Sequence, residues 1–158
     1  MVRPLVLAAA CLAASAALAQ SPAPPSLPER AARADRVALV EIGPQRTVVP
    51  DGDVRRMLTL TQVAVLQDLK GKGPSLLTIV QAGGKSGPWE SHVAGDARLE
   101  AGARAVLFLR IPDAAHPDAC TLSGLGLGKL DVQGDDVLVS GERRPLAAVA
   151  KELQEAKR

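Results

Sequence analysis

Aromatic side chains are almost absent from this sequence of 158 residues, which contains one tryptophan, one phenylalanine and no tyrosine. Proteins that bind carbohydrates or single-stranded nucleic acids usually do so through exposed aromatic rings, on which sugars or bases stack. Trp89 and Phe108 are too few to build such a surface. The composition therefore argues against both classes of ligand.

An excess of one charge is also lacking. Of the 19 lysines and arginines, Arg3 lies in a segment that we expect to be removed, which leaves 18 basic side chains against 17 acidic ones. Binding to nucleic acids or to anionic membrane surfaces generally needs a clear basic excess. The balance of charges therefore predicts neither partner.

Cysteine is scarce as well, since Cys11 and Cys120 are the only two. Cys11 lies in the expected signal peptide, so the mature chain keeps one thiol and cannot form an intramolecular disulfide. The fold must then be stabilised by its aliphatic core. We expect Cys120 to be a small, buried apolar residue, and a reactive thiol or an intermolecular bridge is the alternative.

The N-terminus has the three parts of a secretory signal peptide. Arg3 provides the positive charge, residues 5–18 form an uncharged apolar run, and residues 17–19 form a small-x-small cleavage site before Gln20. The run is shorter than the ~20 residues of a membrane-spanning helix. We predict that residues 1–19 are cleaved and that the protein is secreted or periplasmic, without a membrane span. Lipidation of Cys11 is the alternative.

The chain after the signal peptide divides into a leader and one domain. Residues 20–28 are a proline-rich leader, whose four prolines favour an extended, solvated chain. Residues 29–158 suffice for a single domain with a substantial core. A short helix is expected at 29–35. Apolar runs bounded by turn sequences predict strands at 36–43, 55–66, 75–81, 103–111, 120–125, 127–132 and 137–140.

The C-terminal segment has a different periodicity. Leu146, Val149 and Leu153 recur at steps of three and four residues, with charged side chains between them. This spacing predicts an amphipathic helix that packs on the sheet. The sequence as a whole therefore predicts a mainly β domain, in which a barrel of five to seven strands carries an amphipathic C-terminal helix.

The segment from Thr121 to Val132, TLSGLGLGKLDV, has only a superficial likeness to a phosphate-binding loop. Ser123 occupies the position of the first required glycine, and Leu130 replaces the hydroxyl residue that would bind magnesium. The three glycines are two residues apart, so in a strand they would share one face and allow another chain segment to approach. We therefore expect structural glycines here and no nucleotide cofactor.

Potential metal ligands are grouped between Asp113 and Cys120, in the sequence DAAHPDAC. Their spacing matches no known zinc motif, and Pro117 divides them. His92 and His116 are the only histidine bases, and no serine lies in a nucleophile-elbow sequence. We predict no metal site, no cofactor and no catalytic residues. A metal-dependent hydrolase that uses His92 and His116 is the alternative.

A long polar segment, residues 83–96, is the most favourable place for a binding site. It is rich in glycine and contains Trp89 and His92, and binding residues often lie in such loops. We name Trp89 and His92 as candidate ligand-binding residues. For Trp89 we give more weight to a structural role, in which the indole folds back over the open end of the barrel.

Four segments occur in an order that resembles a group of small secreted bacterial proteins. They contain Leu69–Gly71, Val80–Gly84, Gly102–Leu109 and Gly124–Lys129. The resemblance implies a compact OB-like barrel, similar to netrin-type modules and tissue inhibitors of metalloproteinases, and it implies no particular activity. Those inhibitors bind the zinc of their target through an N-terminal cysteine, whereas the expected mature chain begins at Gln20.

These observations predict a non-enzymatic binding or interaction domain of the bacterial cell envelope. Its partner would be another protein or an envelope component. The hydrolase described above and an extracellular protease inhibitor are the alternatives.

Overall fold

A computed structural model describes residues 22–156, so the predicted signal peptide lies outside the described residues. The described chain is mainly β, with one α-helix before the strands and one after them. The strands are β1 (Arg36–Val48), β2 (Leu58–Lys70), β3 (Leu76–Ser86), β4 (Trp89–His92), β5 (Arg104–Arg110), β6 (Ala119–Leu122), β7 (Lys129–Gln133), β8 (Asp136–Val139) and β9 (Glu142–Pro145). The α-helices are α1 (Leu27–Arg33) and α2 (Leu146–Glu155), and short 3-10 helices cover Pro50–Gly52, Val54–Arg56 and Leu125–Gly128.

The nine strands form one sheet. β1 pairs with β2, β2 with β3, β3 with β6, β6 with β5 and β5 with β1, so this series of pairings returns to its first strand. The β3–β6 pair is parallel, and the other pairs are antiparallel. β4 is added to β3, while β7, β8 and β9 extend the sheet from β5. The predicted count of five to seven strands was too low, because β4 and β9 are four-residue strands without an apolar run.

Residues 37–40 of β1 and residues 105–109 of β5 are all apolar, because both faces of these central strands are buried there. On β1, Val37 and Leu39 belong to one hydrophobic core, while Ala38 and Val40 belong to a second core on the other side of the sheet. β5 alternates between the two cores in the same way. The strand predicted at residues 103–111 is confirmed as β5, and it is central because it pairs with β1, β6 and β7.

The two helices cover the first of these cores. Val149 and Leu153 of α2 are fully buried in it, which confirms the predicted amphipathic helix. α1 begins two residues before its predicted start because Ser26 and Glu29 form a capping box. Lys70 then fixes the other end of α1, where its Nζ donates hydrogen bonds to the carbonyl oxygens of Ala31 and Ala34 at 2.6 and 2.5 Å.

Two strand predictions need correction. The strand predicted at residues 55–66 extends to Lys70, because Asp68 and Lys70 still pair with β1 and Leu69 is buried. The glycine-rich segment 121–132 is also not continuous strand, since Leu125–Gly128 is a 3-10 helix between β6 and β7. An alternation of leucine and glycine does not distinguish a strand from a tight turn.

The glycines of this segment nevertheless have the expected structural role. The N–H of Gly126 donates to the carbonyl oxygen of Gly95 at 2.9 Å. A Cβ atom on Gly126 would lie only 2.6 Å from the same oxygen. Glycine is therefore required at position 126 because two chain segments meet there.

Thr61 of β2 carries a buried hydroxyl, and the effect of this hydroxyl on stability can be measured. Its side chain is fully buried, and within residues 22–156 its Oγ1 has no hydrogen-bond partner. A buried, unpaired hydroxyl costs about 1–3 kcal/mol, and valine has nearly the same shape. We expect Thr61→Val to raise the free energy of unfolding by about 1 kcal/mol in urea denaturation.

Thr59→Val is the matched control, two residues away on the same strand. The Oγ1 of Thr59 donates to the carbonyl oxygen of Gly83 at 3.0 Å, so this substitution removes a hydrogen bond. We expect it to lower the free energy of unfolding by about 1 kcal/mol. Equal signs for the two substitutions would contradict the assignment of Thr61 as unpaired.

Candidate functional site

The first part of the polar segment 83–96 is a hairpin and not an open loop. β3 turns through Gly87 and Pro88 into β4, and Gly83–Ser86 pairs with Trp89–His92. Gly83 and Gly84 have φ values of +94° and +148°, which favour glycine. The N–H of Gly83 donates to the carbonyl oxygen of Met57 at 2.8 Å, so the base of the hairpin is tied to the start of β2.

A polar groove of about 510 Å³ lies beside this hairpin. Its size falls within the usual range of small-molecule and peptide sites. We call it the β4 groove. It is lined by residues 45–47 of β1, Thr59 of β2, residues 81–85 of β3, residues 90–92 of β4, Val93 after that strand, and the loop 96–99.

Two glutamine side chains hold the loop that forms one wall of the β4 groove. The Nε2 of Gln45 donates to the carbonyl oxygen of Leu99 at 2.5 Å, and the Nε2 of Gln81 donates to that of Ala97 at 2.8 Å. The N–H of Ala97 in turn donates to Oδ1 of Asp96 at 2.8 Å. This wall is therefore fixed by contacts from two different strands before any ligand is present.

The floor of the groove is built from two threonines and a glycine. The N–H of Lys85 donates to Oγ1 of Thr47 at 3.3 Å, and Thr59 bonds to Gly83 as described above. A Cβ on Gly84 would lie 2.7 Å from Cγ2 of Thr47 and 3.0 Å from Oγ1 of Thr59. Any side chain at position 84 would fill the space above the two threonines.

The charges of the groove are only partly balanced. Arg46, Lys85 and Arg98 line it, together with the carboxylates of Glu90 and Asp96. Seven ion pairs occur among the described residues, and none of them includes any of these five side chains. The groove therefore offers three cations that have no ion-pair partner within residues 22–156, on a polar frame held by hydrogen bonds.

The two residues predicted as ligand-binding, Trp89 and His92, both lie on β4. His92 is exposed and lines the groove. Trp89 is 59% exposed, so the expectation that its indole folds back over the barrel was wrong. Residues three apart on a strand point to opposite faces, so the indole and the imidazole share one strand but not one face.

The other residues considered for chemistry lie elsewhere. The Nδ1 of His116 is 2.7 Å from Oδ2 of Asp113 in an exposed loop between β5 and β6, and this hydrogen bond lowers the pKa of the Asp113 carboxyl. Cys120 is fully buried, which confirms its predicted role and raises the pKa of its thiol. Among residues 22–156, no three His, Cys, Asp or Glu side chains are grouped closely enough to hold a metal ion.

Several groove residues have no signal in the sequence. Thr47, Thr59, Arg46 and Arg98 are common residue types that lie up to 52 positions apart, from Arg46 to Arg98. They come together through strand pairing and through the loop that Gln45 and Gln81 hold, which no local pattern reports. The Gly-Gly sequence at 83–84 is the one feature that indicates a close approach here.

Comparison with known proteins gives no assignment for this arrangement. No protein-family model matches the chain, and no curated protein matches its sequence. Within the part of the chain that the structure describes, no helix has the length and the apolar character needed to cross a membrane.

Proposed function

We propose that this protein is a non-enzymatic binding domain, exported to the bacterial cell envelope through a cleaved signal peptide, with the β4 groove as its binding site. The observation that carries the proposal is a preformed groove of about 510 Å³, whose three cations have no partner among the described residues. Unpaired charges on a fixed frame are typical of sites that bind a complementary ligand.

We further propose that the domain is an OB-like barrel. The cycle of pairings β1–β2–β3–β6–β5–β1, with its parallel β3–β6 contact, supports this interpretation because a closed sheet leaves no open edge within those five strands. Under this proposal β4 and β7–β9 are additions to the barrel. The similarity to netrin-type modules is part of the same proposal.

The surroundings of the groove hydroxyls support binding over catalysis. Thr47 and Thr59 bond to backbone groups of β3, so neither hydroxyl is engaged by a histidine base. Ser91 is adjacent to His92 on β4, and adjacent strand side chains point apart. The groove residues thus act as donors and charges that position a ligand.

Trp89 provides a direct test, because it is the only tryptophan and the chain has no tyrosine. Emission excited at 295 nm therefore reports on the β4 hairpin alone. We expect the purified chain from Gln20 onwards to show a saturable change in emission with at least one class of envelope molecule, among peptidoglycan fragments, acidic oligosaccharides and peptides. His92→Ala is expected to weaken the response, since the imidazole lines the groove.

A catalytic result would contradict the proposal. If the wild type converts one of these molecules and His92→Ala leaves it intact, the protein is an enzyme. If no class changes the emission or the amide NMR signals of residues 83–93, the groove is not a binding site.

A further inference from the structure

We propose that the β4 groove binds an extended, carboxylate-bearing segment of a partner protein, which adds as a further strand to the free edge of β4. This inference rests on the binding function proposed above and specifies its ligand.

The first step is the free edge itself. β4 pairs with β3 along one side. On its other side, no backbone group of residues 22–156 forms a hydrogen bond with residues 89–92. An unpaired strand edge presents alternating N–H and C=O groups, which an extended peptide can use for strand addition.

The groove adjoins this strand. Residues 90–93 line it, together with residues of β1, β2 and β3. An extended segment added to β4 would therefore lie beside the groove, next to its charged side chains.

β4 is a short edge strand that carries fewer protecting residues than the other edge of the sheet. Its sequence WESH contains one charged residue, Glu90, and neither lysine nor proline, and all four residues are exposed. The edge strand at the other end of the sheet, β9, contains Arg143, Arg144 and Pro145, and proline and charge both discourage strand addition. The two edges therefore differ, and β4 is the edge open to a partner.

The charges indicate what the added segment carries. Arg46, Lys85 and Arg98 line the groove and form no ion pair with another described residue, and they outnumber Glu90 and Asp96. Lys85 lies directly across the hairpin from Glu90. A segment with a carboxylate at every position would be repelled by Glu90 and Asp96. A segment with carboxylates at alternate positions, about 7 Å apart, presents them on one side of the strand, where they can face the cations.

The test uses a blocked seven-residue peptide in which glutamate alternates with threonine. Two matched peptides separate the contributions: one has lysine in place of glutamate, and one keeps glutamate but is N-methylated at alternate amides to prevent strand pairing. With ¹⁵N-labelled protein, we expect the glutamate peptide to shift the amide signals of Glu90–His92 and to slow their hydrogen exchange. Neither matched peptide should do so.

Variants of the protein test the role of the cations. We expect Lys85→Gln and Arg98→Gln each to weaken binding of the glutamate peptide by about fivefold, as for exposed ion pairs. Lys72→Gln is the control, since Lys72 lies in the β2–β3 turn, at the opposite end of these strands from the groove, and we expect unchanged affinity.

Three results would overturn the inference. The N-methylated peptide could bind as well as its parent, inorganic phosphate could displace the peptide and bind with the same affinity, or the lysine peptide could bind better. If the acidic peptide fails while another molecule in the Trp89 screen binds saturably, the proposed function stands and only this inference falls.

Discussion

Replacing Asp68 by alanine is expected to lower the free energy of unfolding by about 3–5 kcal/mol, the usual cost of stranding a buried charge. Asp68 Oδ1 accepts a hydrogen bond from Nε of Arg36 at 2.7 Å, and the Arg36 side chain is only 1% exposed. Its Nη1 donates to the carbonyl oxygen of Pro74 at 3.0 Å, while its Nη2 is buried and has no partner among the described residues. Without Asp68 the guanidinium loses its one ion-pair partner among residues 22–156.

Replacing Arg36 instead of Asp68 should lower the free energy of unfolding by less. The Asp68 side chain is 28% exposed, so in Arg36→Met its carboxylate can be hydrated. The substitution also removes the unpaired Nη2 from the interior. We expect Arg36→Met to cost about 1–2 kcal/mol, and the double variant Arg36→Met/Asp68→Ala to be more stable than Asp68→Ala alone.

Urea denaturation of the four proteins forms a double-mutant cycle that measures this asymmetry. Arg56→Ala is the control, because the Arg56–Asp51 pair has a similar distance, 2.9 Å, but side chains that are 61% and 82% exposed. Its loss should cost less than about 1 kcal/mol. A double variant less stable than Asp68→Ala would show that the guanidinium is well solvated without its partner.

Gly83→Ala is expected to abolish the pairing of β3 with β4 and with it one wall of the β4 groove. A Cβ at this position would lie 2.4 Å from the carbonyl oxygen of Ser91 and 3.0 Å from Cα of His92, both backbone atoms of β4. Residue 83 also has φ +94°, a strained value for alanine. We expect a loss of stability of about 2 kcal/mol or more and fast exchange of the β4 amides, with β1 and β5 still protected.

Gly87→Ala separates the effect of backbone strain from the effect of a steric clash between the added Cβ and β4. Gly87 also has a positive φ, +57°, but nothing lies within 4 Å of its added Cβ. We expect this variant to lose about 1 kcal/mol and to keep the amide protection of β4. Both variants could instead keep the cross-strand contacts between residues 83 and 92 and lose the same stability. The close approach of the β4 backbone to Gly83 would then not be what positions the hairpin.

Local patterns predicted much of the architecture. The apolar runs at residues 55–66 and 103–111 predicted β2 and β5, because a buried strand is a short run of mainly apolar residues. The steps of three and four residues identified Val149 and Leu153 as part of the buried face of α2. These features depend on neighbouring residues, which the sequence shows directly.

Predictions failed where two distant segments set the conformation. β2 continues to Lys70 because Asp68 and Lys70 pair with β1, although Asp68–Lys70 precedes a glycine and has turn composition. β4 forms because Gly83 and Gly84 allow the chain to fold back closely on itself. Neither outcome has a periodic signal.

The sequence by itself determined a mainly β chain with a C-terminal amphipathic helix, a buried Cys120, and a single tryptophan within a polar, glycine-rich segment. Only the tertiary structure decided that Trp89 is exposed and that His92 lies in a groove with three cations that have no ion-pair partner among the described residues. The reason is that side-chain periodicity is a local property, whereas the groove depends on contacts such as Lys85 with Thr47 and Gln45 with Leu99, which are 38 and 54 residues apart. Such contacts follow from strand register and loop anchoring, which exist only once the sheet has formed.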